Sequence, residues 1–257
     1  MQRQSNFLKA LSPRHGEIIR QIFDKETRDK LSAKLDVMPN GQTWYADIYK
    51  KAIYGPMVFR DDDLPIASKI AALFPEHRIL ADLYLEKTPA DKGFPFHTDF
   101  DSNGFMEELT DMITVWVPLT PVTEPGSGQL SIVTEEGAVR MSLIRGAHQL
   151  HSLVCVVDKT VPEHQPFGMT QQEAQYLERS KTTPALDAGD ALVFCNAFFH
   201  KSEPMIKGKR AAYILRLVRK DAKFSLTRLL ALRKLGQNLN VVNELLEEHF
   251  PETLYQE

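Results

Sequence analysis

Between residues 78 and 220 the chain is written in short strand-like runs, each stopped by glycine or proline, and no other feature limits its fold as strongly. Residues 79–86 set Leu80, Asp82, Tyr84 and Glu86 on one face of a strand and Ile79, Ala81, Leu83 and Leu85 on the other. Further runs follow at 94–100, at 112–119 with Pro118 and Pro121 closing it, and at 129–133 after the turn-forming Glu124-Pro-Gly-Ser-Gly128. Ala188-Gly-Asp190 turns the chain into a run ending at His200, and 210–218 is the last clear strand. Residues 140–185 mix signals: a strand near 153–157, a proline-rich loop, then a helix near 171–179. Strands this short and this often interrupted point to a barrel or sandwich.

The flanks change period. Ile18, Ile19, Ile22, Phe23, Leu31 and Leu35 recur at helical spacing over 15–35, and a second helix is expected over 66–74, ended by Pro75. After the strands, Ser225 is placed to cap a helix over 226–235, Gly236 breaks it, and 241–250 is amphipathic. The expectation is one mainly-β domain with a helical N-terminal flank (1–75), a strand core (78–220) and a helical tail (223–257). The apolar face of that tail is a candidate lid or homodimer contact. A net charge of −3 gives no basic face for phosphate backbones, so nucleic acid is not an expected partner. Two cysteines, Cys155 and Cys195, are too few for a disulfide framework and fit reduced thiols. With no signal-type leader and no apolar run long enough to span a bilayer, a cytoplasmic, membrane-free protein is expected.

The chemistry concentrates in His97-Thr98-Asp99. Residues i and i+2 of a strand share a face, so this imidazole and carboxylate can meet one ion, and His200 offers a third donor about 100 residues on. Two histidines and one carboxylate form the facial triad of non-haem iron(II) oxygenases, leaving three positions for a bidentate 2-oxo acid and dioxygen.

Taken in order, His97-x-Asp99, Trp116-Val-Pro-Leu119, Gly126-Ser-Gly128, Gly189-Asp190 before the strand to His200, and then Arg210 resemble the phytanoyl-CoA dioxygenase-like family over residues 79–219. The resemblance implies a double-stranded β-helix (jelly-roll, cupin-like) core, an iron(II) site on His97, Asp99 and His200, and 2-oxoglutarate held by Arg210. It also implies oxidative decarboxylation of 2-oxoglutarate to succinate coupled to hydroxylation of an unactivated C–H bond in a small molecule. A planar guanidinium suits the far carboxylate of that co-substrate better than an ammonium would. Arg216 shares a strand face with Arg210 about 20 Å away, so only one of them is expected to serve the co-substrate, with Arg216 left to pair with a carboxylate or reach solvent. The polar strand face of Asp82, Tyr84 and Glu86 is expected to line the barrel interior, and Tyr84, Thr114, Trp116 and Ser131 lie on strands that in the resembling family contact co-substrate or substrate. His148 and His151 form a His-x-x-His without a nearby acid.

Asp99 retains the carboxylate that halogenating relatives replace, which favours hydroxylation, with desaturation and cyclisation open. The run from Lys207 to Lys234 holds ten basic residues against Asp221 alone, compatible with a CoA- or carrier-linked substrate or with an ordinary solvated face; a secondary-metabolite intermediate is the other candidate. The competing class is a non-redox metal-binding cupin-like lyase, isomerase or ligand-binding protein, and Arg210 separates the two, because only a 2-oxo acid needs a buried arginine across from the metal.

Overall fold

The computed structural model describes residues 16–40, 49–91, 93–99, 104–108, 110–157, 169–234 and 239–252, with backbone alone for 148–157 and 239. Two antiparallel sheets face each other in a double-stranded β-helix. The larger runs β1 (Glu17–Ile19), β7 (Ala191–Cys195), β5 (Met112–Pro118), β9 (Arg210–Arg219), β3 (His77–Lys87), β2 (Lys51–Tyr54). The smaller runs β4 (Phe94–His97), β8 (Phe199–Ser202), β6 (Leu130–Val133). Thr182 bridges Ile132 at its free edge.

Alternation along β9 assigns the faces. Register sets Arg210 opposite Lys87, Ala212 opposite Leu85 and Pro118, Ile214 opposite Leu83 and Trp116, and Arg216 opposite Ala81 and Thr114. Directly opposed residues share a face, and this one meets the small sheet through Leu130 and Ile132. The other face carries Tyr84, Val115, Val193, Tyr213 and Leu215 and is covered by helices α1 (Lys25–Val37) and α2 (Ile66–Leu73), whose Leu31, Leu35, Ile66 and Ile70 pack on it.

Four expectations are corrected. Ile18 and Ile19 are in an edge strand rather than a helix, because Asp24 caps the helix only there, its carboxylate accepting from Thr27 N. The run to His200 is two strands in different sheets, β7 and β8, joined by a tight turn. Residues 153–157 lie in helix α3 (Glu136–Val157), not a strand. The polar face of β3 turns toward the helices, not the barrel interior. Helix α4 (Gln171–Ser180) opens at Thr170 with a capping box to Glu173. The proline-rich loop and Gly236 lie outside the described residues. Tail helices α5 (Leu226–Lys234) and α6 (Leu239–His249) bury Leu229, Leu232, Val242, Leu245 and Leu246 against Phe105, Met112 and Val218 of the same chain.

The Gly-Asp turn before β7 is a structural device. Gly189 has φ +90°, and a Cβ there would sit 2.1 Å from Phe23 O. Asp190 beside it accepts from the Asp187 and Gln21 amides and from Arg20, tying β1 to the turn. Gly189→Ala is therefore expected to lower the unfolding free energy by at least about 2 kcal/mol, through both φ strain and backbone overlap, as read by urea denaturation.

Candidate metal centre

The register of β4 and β8 sets His97 directly opposite His200. Their rings lie 4.1 Å apart between centroids, with Phe94 edge-on to His97 at 4.2 Å and Phe194 against His200 at 4.8 Å. Asp99 sits in the turn leaving β4, its amide donating to Asn196 O at 3.3 Å. One ligand atom from each of His97, Asp99 and His200 lies within 4.8 Å of the others, a spacing one ion can bridge. Each imidazole is oriented by its own backbone: His97 Nδ1 donates to Pro95 O at 2.9 Å and His200 Nδ1 to Phe198 O at 3.0 Å. That tautomer leaves both Nε2 lone pairs free for a metal.

Charge is arranged to the same end. Burial, then the neighbouring histidine, pushes His97 well below the usual imidazole value, and burial lowers His200 too, so both are neutral donors. Burial works against the Asp99 carboxylate, but the Arg216 guanidinium, followed by the two histidines, outweighs it and holds the group at about 2. Arg216 grips both oxygens of Asp99, with Nη2 to Oδ1 at 2.8 Å and Nη1 on Oδ2, and Thr114 Oγ1 adds a hydrogen bond to Oδ2 at 3.0 Å. Thr114 thus steadies a candidate ligand.

Six residues before Arg216 on the same inner face of β9, Arg210 is almost wholly buried, with its guanidinium 5.7 Å from the Trp116 ring centroid. Nη1 donates to Gly128 O at 2.9 Å and Ser202 Oγ at 3.2 Å, while Nε and Nη2 have no protein partner. Gly128 is needed for this approach: it has φ +76°, and a Cβ would lie 2.6 Å from Met205 and 3.4 Å from Arg210. The structure does not bring Tyr84 or Ser131 to the site. Tyr84 is on the helix-covered face, donating to Glu86 at 3.1 Å. Ser131 opposes Lys201 where Ile132 opposes His200, so it faces outward and bonds Thr183 and Glu203. His148 and His151 lie on α3, their side chains outside the described residues.

Sequence reasoning missed Lys87, Tyr49 and Asn196. Lys87 continues the Leu83–Leu85 stripe one residue past the strand end expected at 86, and a lysine in phase with buried leucines was the signal. Asn196, buried next to Asp99, has neither amide atom hydrogen-bonded. No pattern marks Tyr49 or Asn196 in advance.

No family model matches the chain, and no curated protein matches it in sequence. Solved structures do match in fold. The non-heme alpha ketoglutarate dependent epimerase SnoN from nogalamycin biosynthesis is 16% identical over 86% of this chain and 85% of its own, with a TM-score of 0.57. HygX from Streptomyces hygroscopicus, with nickel and 2-oxoglutarate bound, is 13% identical over 85% and 88%, TM-score 0.53. EvdO2 from Micromonospora carbonacea var. aurantiaca, complexed with 2-oxoglutarate, is 14% identical over 88% and 94%, TM-score 0.54. At such identities the likeness is one of backbone architecture.

A first-row divalent cation at 100 times its Kd is expected to stabilise the protein by about 2.7 kcal/mol, a rise in Tm of roughly 5–10 °C for a chain of this size. His200→Ala removes a donor and should abolish the rise. A scan in which both proteins respond equally would place the ion elsewhere.

Proposed function

We propose that the chain is a non-haem iron(II), 2-oxoglutarate-dependent oxygenase acting on a small molecule. The carrying observation is the buried Arg210 guanidinium with two unpaired donors, on the same inner face as Arg216 and across the barrel from the three candidate ligands. A buried cation with open donors calls for an anion, and among the described residues no carboxylate hydrogen-bonds to it. The spacing supports a dicarboxylate: Arg210 bonds Ser202, two residues beyond His200, which is about 7 Å along the strand. A 2-oxo acid chelated beside His200 has its far carboxylate at about that reach. A non-redox cupin-like lyase has no need of such an arginine.

Iron with 2-oxoglutarate supplies dioxygen activation when bound. The chain's own residues do the rest. His97, Asp99 and His200 hold the cation on one side, Arg216 and Thr114 keep Asp99 ionised and aimed, and Arg210 over Trp116 orients the co-substrate. Phe94, Phe194, Leu192 and Ile214 keep the surroundings apolar and exclude water. Hydroxylation of an unactivated C–H bond is the reaction we favour. The fold also serves SnoN, an epimerase, and SnoK, a carbocyclase, so the same centre is compatible with redox epimerisation or ring closure. SnoN has been captured with nogalamycin RO and HygX with hygromycin B; a free small molecule of secondary metabolism is the substrate class we favour here. Within the basic run Lys207 pairs with Glu124, Lys209 with Glu86, Arg219 with Asp221, and Arg228 donates to Met106 O, which favours a solvated face over a carrier-phosphate site.

Anaerobic iron(II) and 2-oxoglutarate should give a visible metal-to-ligand charge-transfer band, and air should then yield succinate. Arg210→Met removes charge-assisted bonds of about 1.5–3 kcal/mol each and is expected to weaken 2-oxoglutarate at least ~30-fold with metal affinity unchanged. Metal uptake without the band, in folded wild-type protein, would favour the non-redox reading.

A further inference from the structure

Along β7, Leu192 lies opposite Trp116 and Phe194 opposite Thr114 on the inner face, and Asn196 is the next residue in phase. Asn196 is fully buried, as are Met112, Ala197 and Phe198 around the turn from β7 to β8. The backbone of that turn is engaged. Asn196 N donates to Met112 O at 3.4 Å, Asn196 O accepts from the Asp99 amide, Phe198 N donates to Cys195 O at 3.0 Å, and Ser142 Oγ donates to Ala197 O. The carboxamide takes no part: among the described residues neither its Oδ1 nor its Nδ2 has a hydrogen-bond partner. Asparagine is favoured in turns because its side chain bonds the backbone two residues on, and here that amide, Phe198 N, is already taken by Cys195 O. Turn preference thus gives no reason for this residue. An unpaired amide in the interior is costly where a leucine of the same size is not.

Phe194, two residues earlier, packs on His200, and the Asn196 carbonyl is bonded to Asp99, so the carboxamide stands beside the candidate metal centre. Register sets it at the Met112 end of the inner face, whereas Arg210 lies past Trp116 and Pro118 at the other end. A co-substrate anchored on Arg210 occupies that other end and leaves the Asn196 end to the substrate. We propose that Asn196 is a specificity-determining residue, its carboxamide pairing with a substrate hydroxyl and so selecting hydroxylated small molecules. The assignment rests on the oxygenase reading above. One hydroxyl can accept from Nδ2 and donate to Oδ1 together, while a ketone or ether oxygen leaves Oδ1 bare and a hydrocarbon leaves both atoms bare. A site built to bond a hydroxyl rejects the analogue without it, because its own buried groups then stay unpaired.

The test uses two rings of equal size. Anaerobic protein loaded with iron(II) and 2-oxoglutarate is titrated with cyclohexanol, which donates and accepts, and with cyclohexanone, which only accepts, following the change each makes in the charge-transfer band. The wild type is expected to take cyclohexanol ~10-fold more tightly. Asn196→Leu, similar in size and without polar atoms, should bring the two rings within about 2-fold of each other, with the affinities for iron(II) and 2-oxoglutarate unchanged. Free of metal and ligands, the variant should melt at or above the wild-type temperature, because it removes an unpaired buried amide. Equal affinities in the wild type, binding of neither ring, or a preference that survives in the variant overturns the proposal. A variant that melts several degrees lower overturns it too, since the amide would then be satisfied within the protein. Wild-type protein that takes up iron(II) and gives no charge-transfer band overturns the co-substrate reading and this assignment with it; a band without the hydroxyl preference overturns the assignment alone.

Discussion

The ion pair between Asp99 and Arg216 joins the two sheets at the place where the chemistry is built. Asp99 hangs on the turn after β4 at the small sheet, and Arg216 sits on β9 in the large one, both almost fully buried. Removing one partner of such a pair strands a charge in the interior and costs about 3–5 kcal/mol. The pair therefore fixes the separation of the sheets near the candidate metal position and holds the carboxylate in one orientation. Thr114, from the strand paired with β9, bonds the same carboxylate oxygen and leaves it little freedom to rotate. His97, only two residues before Asp99, inherits that placement, and the cross-strand register brings His200 to it.

β9 then carries the consequences along its length. Arg216 and Arg210 occupy one face six residues apart, about 20 Å in an extended chain. That separation is shortened by the side chains: Arg210 reaches over Trp116, which pairs with Ile214 four residues further along the strand. The expectation that only one arginine serves the co-substrate left Arg216 to pair with a carboxylate or reach solvent, and it pairs with Asp99. In the folded chain the two divide the work, Arg216 at the candidate metal ligand and Arg210 across the cavity.

The strand cadence and the three candidate ligands were legible because each is a local pattern: period-two runs, Gly and Pro stops, and a His-x-Asp whose donors share a face. The faces of β3 were not legible in the same way. Asp82, Tyr84 and Glu86 looked like the lining of a polar cavity, yet they are satisfied under the helices, Asp82 by the Met57 amide and by Tyr213 at 2.6 Å, Glu86 by Lys50 and Lys209. Binding cavities are mainly apolar with a few placed polar groups, so the apolar face of β3 was the better choice for the interior, and it leads to Lys87. The break between β7 and β8 was hidden for a related reason. The residues from Ala191 to Phe199 are buried throughout, and a run buried on every side has no alternation to show where it changes sheets. Asn196, in that turn, is the single polar mark.

Charge separates the two ends of the inner face of β9. At one end Arg216 offsets Asp99, so a divalent cation meets neutral imidazoles and a carboxylate whose charge is already shared. At the other, Arg210 holds a buried guanidinium with two open donors, beside Lys87 across the strand pair. On the reading proposed above, a cation and a dianion are each drawn to a different end, and the dianion is drawn more strongly once the cation is in place, since both ends then attract it. A lyase or a passive metal protein has no use for that second positive end.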